Sequence, residues 1–113
     1  MSLETIIQLP TEFKEVKVVF DDRQYLENIY DKIVGKMITG YSISEQTTTF
    51  IWQGKKECKT NYVASTIVPS ENAKKVVVYL HKKINKKWKI PMIQVTPCYV
   101  NSKFEEYLDR KLL

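Results

Sequence analysis

Apolar residues recur along this chain with two different periods, and the switches between them mark out its elements. Val16, Val18 and Phe20 are spaced by two, the pattern of a strand over residues 16–20. The period then lengthens. Leu26, Ile29, Tyr30, Ile33 and Met37 fall three and four apart, with Glu27, Asn28, Asp31, Lys32 and Lys36 on the opposite side. That spacing predicts an amphipathic helix, opened by Asp21 and Asp22 as N-cap residues and stopped at Gly40. Residues 41–52 read as a long second strand, and the polar run Ser44-Glu45-Gln46 predicts a bend or bulge in its middle.

A hairpin follows. The β-type runs 47–52 and 60–68 flank the turn Gln53-Gly54-Lys55-Lys56, in which glycine supplies the positive φ of a tight reversal. The third strand covers residues 59–68. Pro69-Ser70-Glu71-Asn72 is a helix-start signature. Val76-Val77-Val78-Tyr79-Leu80 is β-branched enough for a strand. However, Ala73, Val76, Val77, Leu80 and Ile84 share one helical face, with Lys75, Lys82 and Lys86 opposite, and the helix explains the lysine pairs. Residues 90–95 form a fourth strand, with Pro91 near its start, where an edge tolerates it. Ser102 and Glu105 make a capping box for a last helix with the stripe Phe104, Tyr107, Leu108 and Leu112.

The order is βαββαβ plus a terminal helix. It predicts an α+β, ferredoxin-like antiparallel sheet with helices on one face and an extra C-terminal helix. Residues 1–15 are a lead-in and 16–113 a single domain. Positions alternating with the core on strands two and three include Tyr, Phe, Ile, Thr and Val. They predict an apolar second face without a helix, which calls for a partner, most simply another copy of the chain.

Composition narrows the function classes. A length of 113 residues is one domain, and 43% apolar with 27% charged residues is ordinary for a soluble protein. No run approaches the roughly 18 apolar residues of a membrane span, and no basic-then-apolar leader is present; the cytoplasm is the expected location. Charge is uneven, with 5 basic against 8 acidic residues in 1–53 and 13 against 5 in 54–113. Lys74, Lys75, Lys82, Lys83, Lys86, Lys87 and Lys89 carry the excess. They read either as the solvated side of a helix or as an anion-binding face. Cys58 and Cys98 lie forty positions apart with no C-x-x-C, and His81 is the single histidine. They read as two reduced thiols, with a disulfide or shared soft-metal site as the alternative, and as a surface or half-buried imidazole, and form no zinc site of usual spacing. No nucleophile–base pair, phosphate loop or paired acid–base carboxylates stand out, so no catalytic reading is favoured.

Several segments together resemble the CutA family, small proteins named for divalent-cation tolerance. The resemblance spans about residues 16–112. It rests on Trp52-Gln53-Gly54-Lys55, then Glu57, the second helix, Trp88-Lys89-Ile90-Pro91-Met92-Ile93, and Tyr107-Leu108. It implies a homotrimer interlocked by long hairpins. It also implies a role in metal tolerance by binding, with copper or another divalent cation as the ligand class. Trp52, Lys55, Glu57 and Trp88 are the candidate ligand-binding residues. Cys58, His81 and Cys98 are the candidate metal ligands, brought together between subunits. The chain departs from the family pattern at several points. Thr39-Gly40-Tyr41 stands where the family carries a cysteine, and Lys86-Lys87-Trp88 replaces His-Pro-Tyr. Asn61 stands for a glutamate, and Ile67-Val68 for Lys-Thr. Two alternatives stay open. One is a PII-like trimeric signalling protein holding a small anion near Lys55 and the lysines at 86, 87 and 89. The other, less favoured, is nucleic-acid binding through the basic helix.

Overall fold

In the computed structural model, which describes residues 12–84, 92–100, 103–104 and 106–108, the alternation of β1 (Glu12–Phe20) threads the centre of a four-stranded sheet. Its neighbours are β3 (Lys55–Pro69) and β4 (Met92–Tyr99), both antiparallel to it. Outside β3 lies β2 (Ser42–Trp52), giving the order β2-β3-β1-β4. This is the expected split βαβ plan.

The alternation sets the core. Val16, Val18 and Phe20 on β1 and Ala64, Thr66 and Val68 on β3 are buried on one face. Against them pack helix α1 (Arg23–Asp31), through Leu26, Ile29 and Tyr30, and helix α2 (Ser70–Ile84), through Ala73, Val76, Leu80 and Ile84. The helical reading of the valine run holds, because tertiary burial outweighs local β propensity there. Asp22 caps α1, accepting a 3.0 Å hydrogen bond from the Tyr25 amide.

Five expectations need correction. First, α1 ends at Asp31 rather than running through Met37 to Gly40. Gly35, at φ +80°, turns the chain, and the Ile33 carbonyl accepts from the amides of Lys36, Met37 and Ile38. The three- and four-residue spacing of Ile33 and Met37 therefore comes from a compact turn that still buries Ile33 and Ile38. Second, β2 has no bulge: its register with β3 is unbroken from Ser42↔Ser65 to Trp52↔Lys55. Ser44, Glu45 and Gln46 are polar because β2 is an edge strand and, at this level, the β2–β3 hairpin runs past the end of β1. Third, β1 starts at Glu12, inside the supposed lead-in, and β4 continues past Val95 to Tyr99. Pro97 is accommodated because β4 is an edge.

The remaining two concern the second face of the sheet. It is mixed, not apolar: Glu15, Lys17, Asn61, Ser65, Gln94 and Thr96 share it with Val19, Val63 and Ile67. Nor is it free of helix. The helical residues 103–104 and 106–108 lie by one end of it, where Phe104 and Tyr107 line a pocket with Glu15, Ser65 and Ile67. Leu108 is fully buried, and so is Phe13, which points to that face. The proposed capping pair, Ser102 and Glu105, lies outside the described residues, as do Leu112, Ile90 and Pro91.

Candidate functional site

The β2–β3 hairpin outruns its support. The last β3 residue paired with β1 is Tyr62, opposite Phe20. Beyond it, the pairs from Gln46↔Asn61 to Trp52↔Lys55 have no third strand, a projection of about 20 Å at strand rise. The Cα radius of gyration, 16.4 Å, exceeds the about 13 Å of a compact domain of this length. At the tip, Gln53 and Gly54 have φ of 51° and 76°. Two successive positive values make a two-residue primed turn, whose twist matches the strands it joins. Lys55 and Lys56, placed in the turn by the sequence, are therefore strand residues.

The arm carries apolar side chains on both faces. Phe50 and Trp52 point to one side and Ile51 to the other, at 38%, 62% and 69% exposure. Lys55 sits directly across from Trp52, and Glu57 across from Phe50, on that same face. Three of the four candidate ligand-binding residues thus share one patch. Trp88 lies outside the described residues. The patch is open to solvent and encloses nothing.

The candidate metal ligands do not meet within one chain. Cys58 is exposed on the arm, its Sγ 3.4 Å from Thr49 Oγ1. Cys98 lies at the other end of the sheet, level with Phe13 and Pro69. The eleven residue steps of β3 from Cys58 to Pro69 span about 36 Å, far beyond disulfide reach. His81 is exposed on α2. No group of three His, Cys, Asp or Glu side chains among the described residues could hold a metal ion. Burial first, then the charges of Glu15 and Glu12, pushes the Cys98 thiol upward, away from the thiolate that soft metals need.

A second feature was missed from the sequence. A 350 Å³ pocket opens on the mixed sheet face, between Glu15 and Ser65 on one side and Phe104 and Tyr107 on the other, with Tyr41 and Ser42 at its edge. Ser65 Oγ donates to Glu15 Oε2 at 2.8 Å, and Lys17 lies 3.7 Å from the same carboxylate. The rings of Phe104 and Tyr107 stack at 5.7 Å. The pocket can orient a small polar molecule, with the Ser65 hydroxyl held against the Glu15 carboxylate at its wall. Its legible signal was Glu15-Val16-Lys17, which puts charged residues beside the core alternation. The arm tip of the same chain cannot reach it, since β3 separates Ile67 from Lys55 by about 40 Å.

Among the described residues no helix is long and apolar enough to cross a membrane. No protein-family model matches the sequence, and no curated protein matches it. Solved structures do match. CutA from Synechococcus elongatus superposes with a TM-score of 0.78 at 14% identity, covering 94% of this chain and 95% of its own. CutA1 from Pyrococcus horikoshii gives 0.73 at 17%, covering 88% and 98%. The periplasmic divalent cation tolerance protein CutA from Archaeoglobus fulgidus gives 0.72 at 18%, covering 88% and 97%. The architecture is thus an α+β ferredoxin-like domain with an overlong hairpin arm. More narrowly, its fold is that of the CutA proteins, reached by a widely diverged sequence.

Proposed function

We propose that this chain assembles through its hairpin arms into a homotrimer and serves divalent-cation tolerance or response by binding rather than by catalysis. The observation that supports this most is the bare arm. An isolated two-stranded hairpin is marginally stable in water, yet this one continues seven residue pairs past its last support and exposes Trp52 and Ile51 on opposite faces. A second chain on each face would cover both. The number three comes from the resemblance to the CutA fold, whose solved members are described as divalent-cation tolerance proteins.

Two measurements separate the halves of the proposal. Light scattering reads assembly: three chains are expected, and a monomer at micromolar concentration contradicts it. Melting with and without excess copper reads binding. A rise that Cys58→Ser and Cys98→Ser together abolish is expected, with the assembly mass unchanged. An unmoved melting temperature removes the copper reading and leaves assembly standing. The separation of Cys58, His81 and Cys98 within one chain means that any shared metal site lies between chains.

A further inference from the structure

One apolar position sits where a helix needs none. Val78 is 42% exposed on α2. At 100° per residue it lies opposite the buried stripe of Val76, Leu80 and Ile84. Valine is a weak helix former, so local structure gives no reason for it there. It lies in a 590 Å³ groove whose floor it shares with Met37, from the turn after α1, and Tyr79. Lys74 and Lys75 flank it one turn before and Lys82 one turn after, so cations stand on both sides of the apolar floor along about 12 Å of helix. A smaller recess lined by Lys36 continues the groove past Met37 and Lys75. One carboxylate, Glu71, faces these cations. The ion pairs of the described residues lie elsewhere, at Lys14–Glu12, Lys17–Glu15 and Arg23–Glu27, leaving the groove lysines unpaired among the described residues.

We propose that this groove is a docking site for an acidic amphipathic helix of a partner protein, with apolar anchors on Val78 and Met37 and carboxylates on Lys74, Lys75 and Lys82. The charge is complementary to such a segment, and the apolar floor decides the class. A phosphate backbone needs cations alone, whereas an amphipathic helix needs an apolar strip between charged rims. The groove is on the side of α2 away from the sheet. It shares no residue with the arm, so this inference does not depend on the trimer.

The test is an NMR titration of the ¹⁵N-labelled protein with a synthetic helical peptide bearing leucines on one face and glutamates on the other. Shifts should centre on Met37, Val78 and Lys82. Replacing the leucines with serine should weaken binding at least about tenfold. Val78→Glu and the double variant Lys75→Glu, Lys82→Glu should each do the same at unchanged assembly mass, and Lys59→Glu on the arm should not. Three results overturn the proposal: equal affinity for the serine peptide, tighter binding of a single-stranded oligonucleotide or of anionic phosphatidylserine vesicles, or no shift at millimolar peptide.

Discussion

Tyr30 is the least comfortable residue in the core. It is fully buried, its ring tilts against Tyr41 at 5.0 Å, and its hydroxyl has no hydrogen-bond partner among the described residues. Tyr41, by contrast, donates to Asp31 at 2.5 Å, and that bond is the first cause holding its phenol up to about 12. A buried unsatisfied hydroxyl costs about 1–3 kcal/mol, so Tyr30→Phe should stabilise the fold by about 1 kcal/mol in urea unfolding. Burial pushes the Tyr30 phenol above its ordinary 10.0. The unfolded chain then releases a proton that the folded chain keeps. This contribution is whole below about pH 10 and is lost as the pH rises above it. Tyr30→Phe should therefore flatten the alkaline fall in stability, and a fall as steep as in the parent would show that another group controls it.

At the scale of elements, the arm is the part whose stability the single chain does not explain. Strands elsewhere have a third strand or a helix beside them, whereas 46–61 pair only with each other. Backbone amides there should exchange with deuterium in seconds if the arm is free and resist exchange if another chain covers it. Ile51→Lys, on the face opposite Trp52, should unprotect the arm while leaving β1 and α2 protected; loss of protection throughout would make Ile51 a determinant of the fold instead.

The elements themselves were legible where one face is buried and the other wet, as in β1 and α2, because there periodicity reports burial directly. Legibility failed where solvent acts on both sides. Ser44, Glu45 and Gln46 looked like a kink and are a straight edge strand where the hairpin outruns β1. It failed also where a turn buries side chains at helical spacing, as at Ile33 and Met37. Of the candidate site, Trp52 and Lys55 were legible as neighbours because a two-residue turn joins them, whereas Glu57 reaches the same face only through its pairing with Phe50. The pocket under Phe104 and Tyr107 was invisible because it joins residues roughly ninety positions apart in sequence. The groove at Val78 was hidden because a valine triplet does not say which of its members faces out.

For the whole molecule, the two surfaces divide the work. In the proposed assembly the sheet side and arm would face other copies of the chain, while the outer side of α2 presents Lys74, Lys75 and Lys82 to solvent. Among the described residues nothing within one chain gathers Cys58, His81 and Cys98. Both proposed functions of the arm depend on assembly. Sedimentation equilibrium of the purified chain, alone and as Trp52→Ala with Ile51→Lys, tests it most directly. Three times the 13.3 kDa of the chain is expected for the parent, and a monomer or unstable mixture for the variant. A parent that sediments as a well-folded 13.3 kDa monomer would contradict it.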